Sequence, residues 1–226
     1  MIKWIKYHFL HLNDKKWKIT SACLILIVLV MLLYFAGLFD GKIERLLFSE
    51  RYLKEYEWET FTFLNILIII LVLMGSKEIY LLDEPHILLI NKRKYIVSKA
   101  VAYLFFYWII FIVIYFLYQV VLISIYGFRQ FNYYFLINLL LNITLNHSVI
   151  LLISGKTKSI LKIILFLMLL FLFNKVKEIN ISYISNLELF YPSLALSLPK
   201  AGYVHVILIS IFYYVLAFFK HEKSLN

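Results

Sequence analysis

Cysteine occurs once, at Cys23, so the 226 residues hold neither a disulfide framework nor a thiolate metal site. Three prolines and six glycines are too few for a fibrous or low-complexity chain. Charge is scarce as well. Asp, Glu, Lys and Arg make up 16% of the residues, where soluble domains carry about a quarter. Apolar residues fill that space, at 63% with a mean hydropathy of +0.86. A membrane-crossing helix takes about 20 predominantly apolar residues, so this length has room for six and for no sizeable soluble domain. The composition therefore predicts an all-α membrane protein in which residues 1–226 form a single transmembrane domain.

Six apolar runs follow one another, over about 17–38, 60–75, 99–126, 131–154, 159–174 and 203–219. Lys162 is the one charge well inside a run, and it lies close enough to the start of the fifth to snorkel outward. Residues 1–16 are too polar to span. Ile2, Ile5, Phe9 and Leu12 recur at steps of three and four, with Lys3, Lys6 and His11 off that stripe. This predicts a short helix lying in the interface, with Trp4 and Tyr7 at headgroup depth. Because Trp17 to Leu38 is of full spanning length, the first run reads as a span and not as a signal peptide.

The net charge of +10 raises the question of nucleic acid, but the basic residues sit at the ends of the apolar runs. There they meet anionic lipid headgroups and set topology. With six spans and both termini in the cytoplasm, fifteen Lys and Arg fall inside and eight outside. The outer segment 40–59 also carries six acids. An odd number of spans would break this alternation.

The segment between the second and third runs, Gly75 to Tyr103, is the least ordinary. Asp83 suits an N-cap, Glu84 and Pro85 a first helical turn, and His86 to Ile90 supply a short helix. Lys92, Arg93 and Lys94 would follow the end of that helix, where positive charge complements the dipole. An ordinary basic loop that only fixes orientation would look similar. Span four carries Asn138, Asn142 and Asn146 at steps of four, beside Thr144 and His147. Polar groups on one helix face at bilayer depth should turn toward protein or water, as interhelical glue or as part of a path.

The Gly75–Tyr103 segment resembles the coupling loop of the membrane-spanning subunits of type 2 ABC exporters, from Lys77-Glu78 through Leu88-Leu89-Ile90 to Ser98-Lys99-Ala100. The family carries an acidic residue, a short helix and a basic re-entry there. The order of parts is similar over nearly the whole chain: interfacial helix, span, outer loop, span, coupling loop and three further spans. A last outer segment bears Pro192 and Pro199 before span six. The chain differs in having Asn91 where the family has proline, and in a longer, more acidic first outer loop.

The resemblance implies a short cytoplasmic coupling helix that seats on a separate ATPase subunit through Glu78, Asp83, Glu84, His86, Leu88, Lys92, Arg93 and Lys94. It implies pairing with a second permease copy, identical or homologous. It also implies that ATP and Mg2+ belong to the partner, so this chain is a transport subunit and not itself an enzyme. Asn138, Asn142, Asn146, His147, Pro192 and Pro199 would line the translocation path. The cargo of such small permeases is amphipathic peptide, such as phenol-soluble modulins or bacteriocins, in low-GC Gram-positive bacteria; lipid-linked glycan or a small drug would also suit an apolar path. A stand-alone immunity or scaffold protein is the competing class.

Two apparent motifs carry no chemistry. Gly155-Lys156-Thr157 lacks the glycine that a phosphate-binding loop needs five residues earlier, where Ile150 stands. Glu44-Arg45-Leu46-Leu47-Phe48 faintly resembles the signature of membrane-embedded CAAX-type proteases, but offers one glutamate, outside any apolar run, where those enzymes need a pair within a span.

Overall fold

A computed structural model describes residues 2–12, 21, 25–26, 67–73, 75–76, 79, 92–126, 133–154 and 202–223. Among the described residues there are helices and no strands. The N-terminal helix α1 is Ile2–His11; α2 is Lys92–Tyr126, α3 is Tyr133–Ser154 and α4 is Gly202–Lys223. Residues 67–73, 75–76 and 79 are also helical. Neither glycine nor proline interrupts α2 over its 35 residues, and the next residue in the sequence is Gly127. In the same way α3 stops at Ser154, just before Gly155. Glycine one position beyond the last helical residue is a common stop signal, since it tolerates the left-handed backbone that caps a helix.

Among the described residues, three helices are long and apolar enough to cross a membrane: Lys94–Leu117, Leu136–Ile153 and Gly202–Lys220. They coincide with the third, fourth and sixth expected runs. Of the first run only residues 21, 25 and 26 are described, all helical, and the fifth lies outside the described residues. The second run is helical over 67–73 and 75–76; Ile79 is helical and fully buried, and Gly75 abuts Tyr103 and Tyr107, in the middle of a candidate span.

Lys92, Arg93 and Lys94 form the first turn of α2, which carries no acid there; the short helix expected over 83–90 lies outside the described residues. The dipole argument is reversed there, because positive charge at a helix start is unfavourable. The long uninterrupted helix-forming sequence beyond the triplet outweighs a term worth a few tenths of a kcal/mol to about 1 kcal/mol.

Side-chain pairs fix how the helices run. Trp108 Nε1 donates to Thr144 Oγ1 at 3.2 Å, and the rings of Tyr107 and His147 meet edge to face at 5.7 Å. With only residues 127–132 between them, α2 and α3 are antiparallel neighbours. His147 pairs with Tyr214 and Leu152 with Lys220, at chain separations of 67 and 68. A constant separation means that α3 and α4 run parallel. The start of α2 and the ends of α3 and α4 therefore share one end of the bundle. Helix α1 joins them there, with Trp4 and His8 against Tyr95 at ring distances of 6.1 and 4.6 Å.

Burial sorts the faces. On α2 the exposed residues Phe105, Ile109, Val113, Phe116, Val120 and Ile123 form one stripe, at steps of three and four. On α4, Val206, Ser210 and Ala217 are buried while Val204, Ile207, Leu208, Ile211, Phe212, Val215 and Phe219 are exposed. Small residues on the covered side let α4 approach α3 closely, and the large apolar ones suit lipid. Helix α3 is the central element, with 61% of its candidate span buried. At the shared end Lys220 Nζ donates to the carbonyl of Leu152 at 2.9 Å, one of the last carbonyls of α3. Lys220→Met should lower stability by a few tenths of a kcal/mol to about 1 kcal/mol, read as a small drop in the unfolding midpoint in detergent.

Candidate functional site: a buried polar layer across three helices

In a helix of purely apolar residues any polar group must be satisfied inside the protein, because lipid offers no partner. Four such groups fall on α3. Asn138, Asn142, Asn146 and His147 are 3, 4, 1 and 0% exposed, so the stripe turns inward and away from lipid. Next to them Ser148 bonds back to the Leu145 carbonyl at 2.8 Å, and Thr144 to that of Leu140 at 2.8 Å. Ser98, Ser210 and Ser76 bond back in the same way to Tyr95, Val206 and Leu73. Such bonds let small hydroxyl residues enter an apolar bundle without an orphan donor.

His147 is the centre of the layer. Its Nδ1 lies 2.7 Å from the Tyr214 hydroxyl on α4. In one tautomer the hydroxyl donates to Nδ1; in the other Nδ1–H donates to the hydroxyl oxygen. The Tyr107 and Tyr214 rings both stand 5.7 Å from the imidazole, so α2 and α4 grip α3 from two sides. Gly75 closes the group. A Cβ there would meet the Tyr107 hydroxyl, and the Tyr103 ring at 2.9 and 3.0 Å. Residues 67–79 can reach α2 at this level only because position 75 has no side chain.

The layer is incompletely bonded. His147 Nε2 and Asn142 Oδ1 are buried and have no hydrogen-bond partner among the described residues. Orphan polar atoms in a membrane interior are costly, and such residues commonly mark a functional path or a partner that arrives in another state. Asn142→Leu removes one of them. The unfolding midpoint should stay level or rise, because an apolar residue replaces an unbonded acceptor. Transport should fall if the layer is the path, and a lowered midpoint would count against this description of Asn142.

Of the residues marked in the sequence, the structure gathers Asn138, Asn142, Asn146 and His147 on the inner face of α3. Lys92, Arg93 and Lys94 stand apart from them, on the first turn of α2. Glu78, Asp83, Glu84, His86, Leu88, Pro192 and Pro199 lie outside the described residues. Sequence reasoning missed Tyr107, Tyr214 and Gly75. The available signal was the phenol itself: a tyrosine at mid-span carries a polar group that needs a partner.

On α1, Trp4, His8 and Leu12 pack on the bundle, so Leu12 of the expected apolar stripe faces protein. Among the described residues no three His, Cys, Asp or Glu side chains converge as metal ligands.

No protein-family model matches the chain, and no curated protein or solved structure is similar to it.

Proposed function

We propose that this chain is the membrane-spanning subunit of an ATP-driven type 2 exporter that carries amphipathic, antimicrobial-type peptides by alternating access. It crosses the cytoplasmic membrane six times with both termini in the cytoplasm. The observation that carries the topology is the parallel pairing of α3 with α4. Parallel neighbours require the chain between Ser154 and Gly202 to return across the bilayer, and 159–174 is the apolar run available for that crossing. Likewise α1 sits at the starting end of α2, so an even number of crossings separates them. The runs 17–38 and 60–75, the latter extended past Gly75, supply two.

Orientation follows from charge. The end shared by α1, the start of α2 and the ends of α3 and α4 holds Lys3, Lys6, Lys92, Arg93, Lys94, Lys99, Lys220 and Lys223. At the opposite end the described helices carry neither Lys nor Arg. The basic end is the cytoplasmic one.

The coupling reading rests on the resemblance of residues 78–94 to the loop that seats on an ATPase, and the unbroken course of α2 supports it. Tyr107 lies along the same helix as Lys92, about 22 Å away at 1.5 Å per residue. A push on the basic end therefore reaches the polar layer without a joint. ATP and Mg2+ stay on the partner, a second permease copy completes the path, and the Asn–His layer meets the cargo as the two halves rock.

Membranes of the source cell should yield an ATPase on affinity purification of the tagged chain. Reversing the charge of Glu84 together with Lys92, Arg93 and Lys94 should lower ATP turnover while the chain stays folded. Recovery as a stable lone chain, or an effect that persists in cells without an intact ATPase, would favour a stand-alone immunity or scaffold protein.

A further inference from the structure

The residues of α1 sort into four rows at steps of four, and each row meets a different environment. Trp4, His8 and Leu12 are the row held against α2, with His8 and Leu12 each 4% exposed. Trp4 and His8 close on Tyr95 there. Ile5 and Phe9 follow, half-buried. Ile2, Lys6 and Leu10 form the third row and are exposed, Ile2 to 83% and Leu10 to 58%. Lys3 and Tyr7, also exposed, complete the turn.

Water would suit Lys3 and Lys6 but not Ile2 and Leu10, and hydrocarbon the reverse. Both demands are met at once only at headgroup depth, where the apolar rows sink toward acyl chains and the ammonium groups rise to the phosphates. Lys3 and Lys6 are three residues apart, so their Cβ atoms are about 5–6 Å from each other on one side of the helix. Two cations at that spacing can share one phosphodiester.

We propose that α1 is a binding element for an anionic phospholipid of the cytoplasmic leaflet, with Lys3 and Lys6 holding the headgroup phosphate while Trp4 and His8 tie the occupied helix to Tyr95. Lipid occupancy is thereby read at the first turns of α2, which continue unbroken to the polar layer. The inference needs the chain to be embedded in a membrane but does not need the ATPase, so it stands or falls apart from the transport reading.

Two lysines near an anionic surface each add about 1 kcal/mol, or roughly a thirty-fold preference together. The test uses the full chain, with Cys23→Ser and a fluorophore on Leu10→Cys, in phosphatidylcholine nanodiscs. Brominated phosphatidylglycerol or brominated phosphatidylcholine is added at equal mole fraction, and quenching is titrated. The expected result is a preference for phosphatidylglycerol of one to two orders of magnitude, collapsing toward parity in Lys3→Gln/Lys6→Gln. Lys3→Arg/Lys6→Arg should keep it, which separates lost charge from a misplaced helix. Lys220→Gln should keep it too. Parity in the parent chain, an undiminished preference in the double Gln variant, or equal loss in Lys220→Gln would overturn the proposal, the last by showing a diffuse response to net charge.

Discussion

Gly75→Val should destabilise the protein by about 1–3 kcal/mol, because the new side chain is driven into the Tyr107 hydroxyl and the Tyr103 ring. An opposing term exists. Removing glycine from a helix interior recovers up to about 1 kcal/mol of propensity, and less for a β-branched residue. Overpacking wins here because neither neighbour has space to yield: Tyr107 is fully buried and Tyr103 is 2% exposed. Combining Gly75→Val with Tyr107→Phe deletes the atom in the way and should restore part of the loss. Unfolding midpoints of the two single variants and the double, in one detergent, read the effect. Additive losses would show that Gly75 does not meet Tyr107 as described.

The second large effect is expected at His147. His147→Ala removes a fully buried ring from between two tyrosines and leaves the Tyr214 hydroxyl without its 2.7 Å partner. The cavity and the orphaned hydroxyl together should cost on the order of 3 kcal/mol. A double-mutant cycle with Tyr214→Phe isolates the hydrogen bond, whose coupling within a membrane bundle is about 0.5–2 kcal/mol. His147→Gln, which retains donor and acceptor capacity, should lose less than His147→Ala. A coupling of zero would mean that the His147–Tyr214 hydrogen bond does not help to hold α4 on α3. Since α4 buries only 22% of its candidate span, loss of this link should loosen α4 before the rest of the bundle.

Much of this arrangement was legible before any coordinates. Long apolar runs without charge force helices on any chain that enters a bilayer, since no other open structure satisfies its own backbone there. The step of four between Asn138, Asn142 and Asn146 marked the inner face of α3, because polar side chains in an apolar helix have one tolerable direction. The limits have equally plain causes. Spans that are apolar all round, such as α2 and α4, present no contrast from which to tell a lipid-facing stripe from a protein-facing one. Nothing in the local sequence around Lys92 says whether a basic triplet ends one helix or begins another.

What the sequence by itself determined is the material: a membrane-spanning helical chain, basic at the ends of its runs, with a polar row on its fourth. Which groups share a layer was decided by tertiary structure. Tyr107, His147, Tyr214 and Gly75 come from four separate stretches of chain, and their meeting depends on the antiparallel α2–α3 pair and the parallel α3–α4 pair. The physical reason is that burial and hydrogen bonding at bilayer depth are satisfied between helices, while periodicity reports only on the helix in which it occurs.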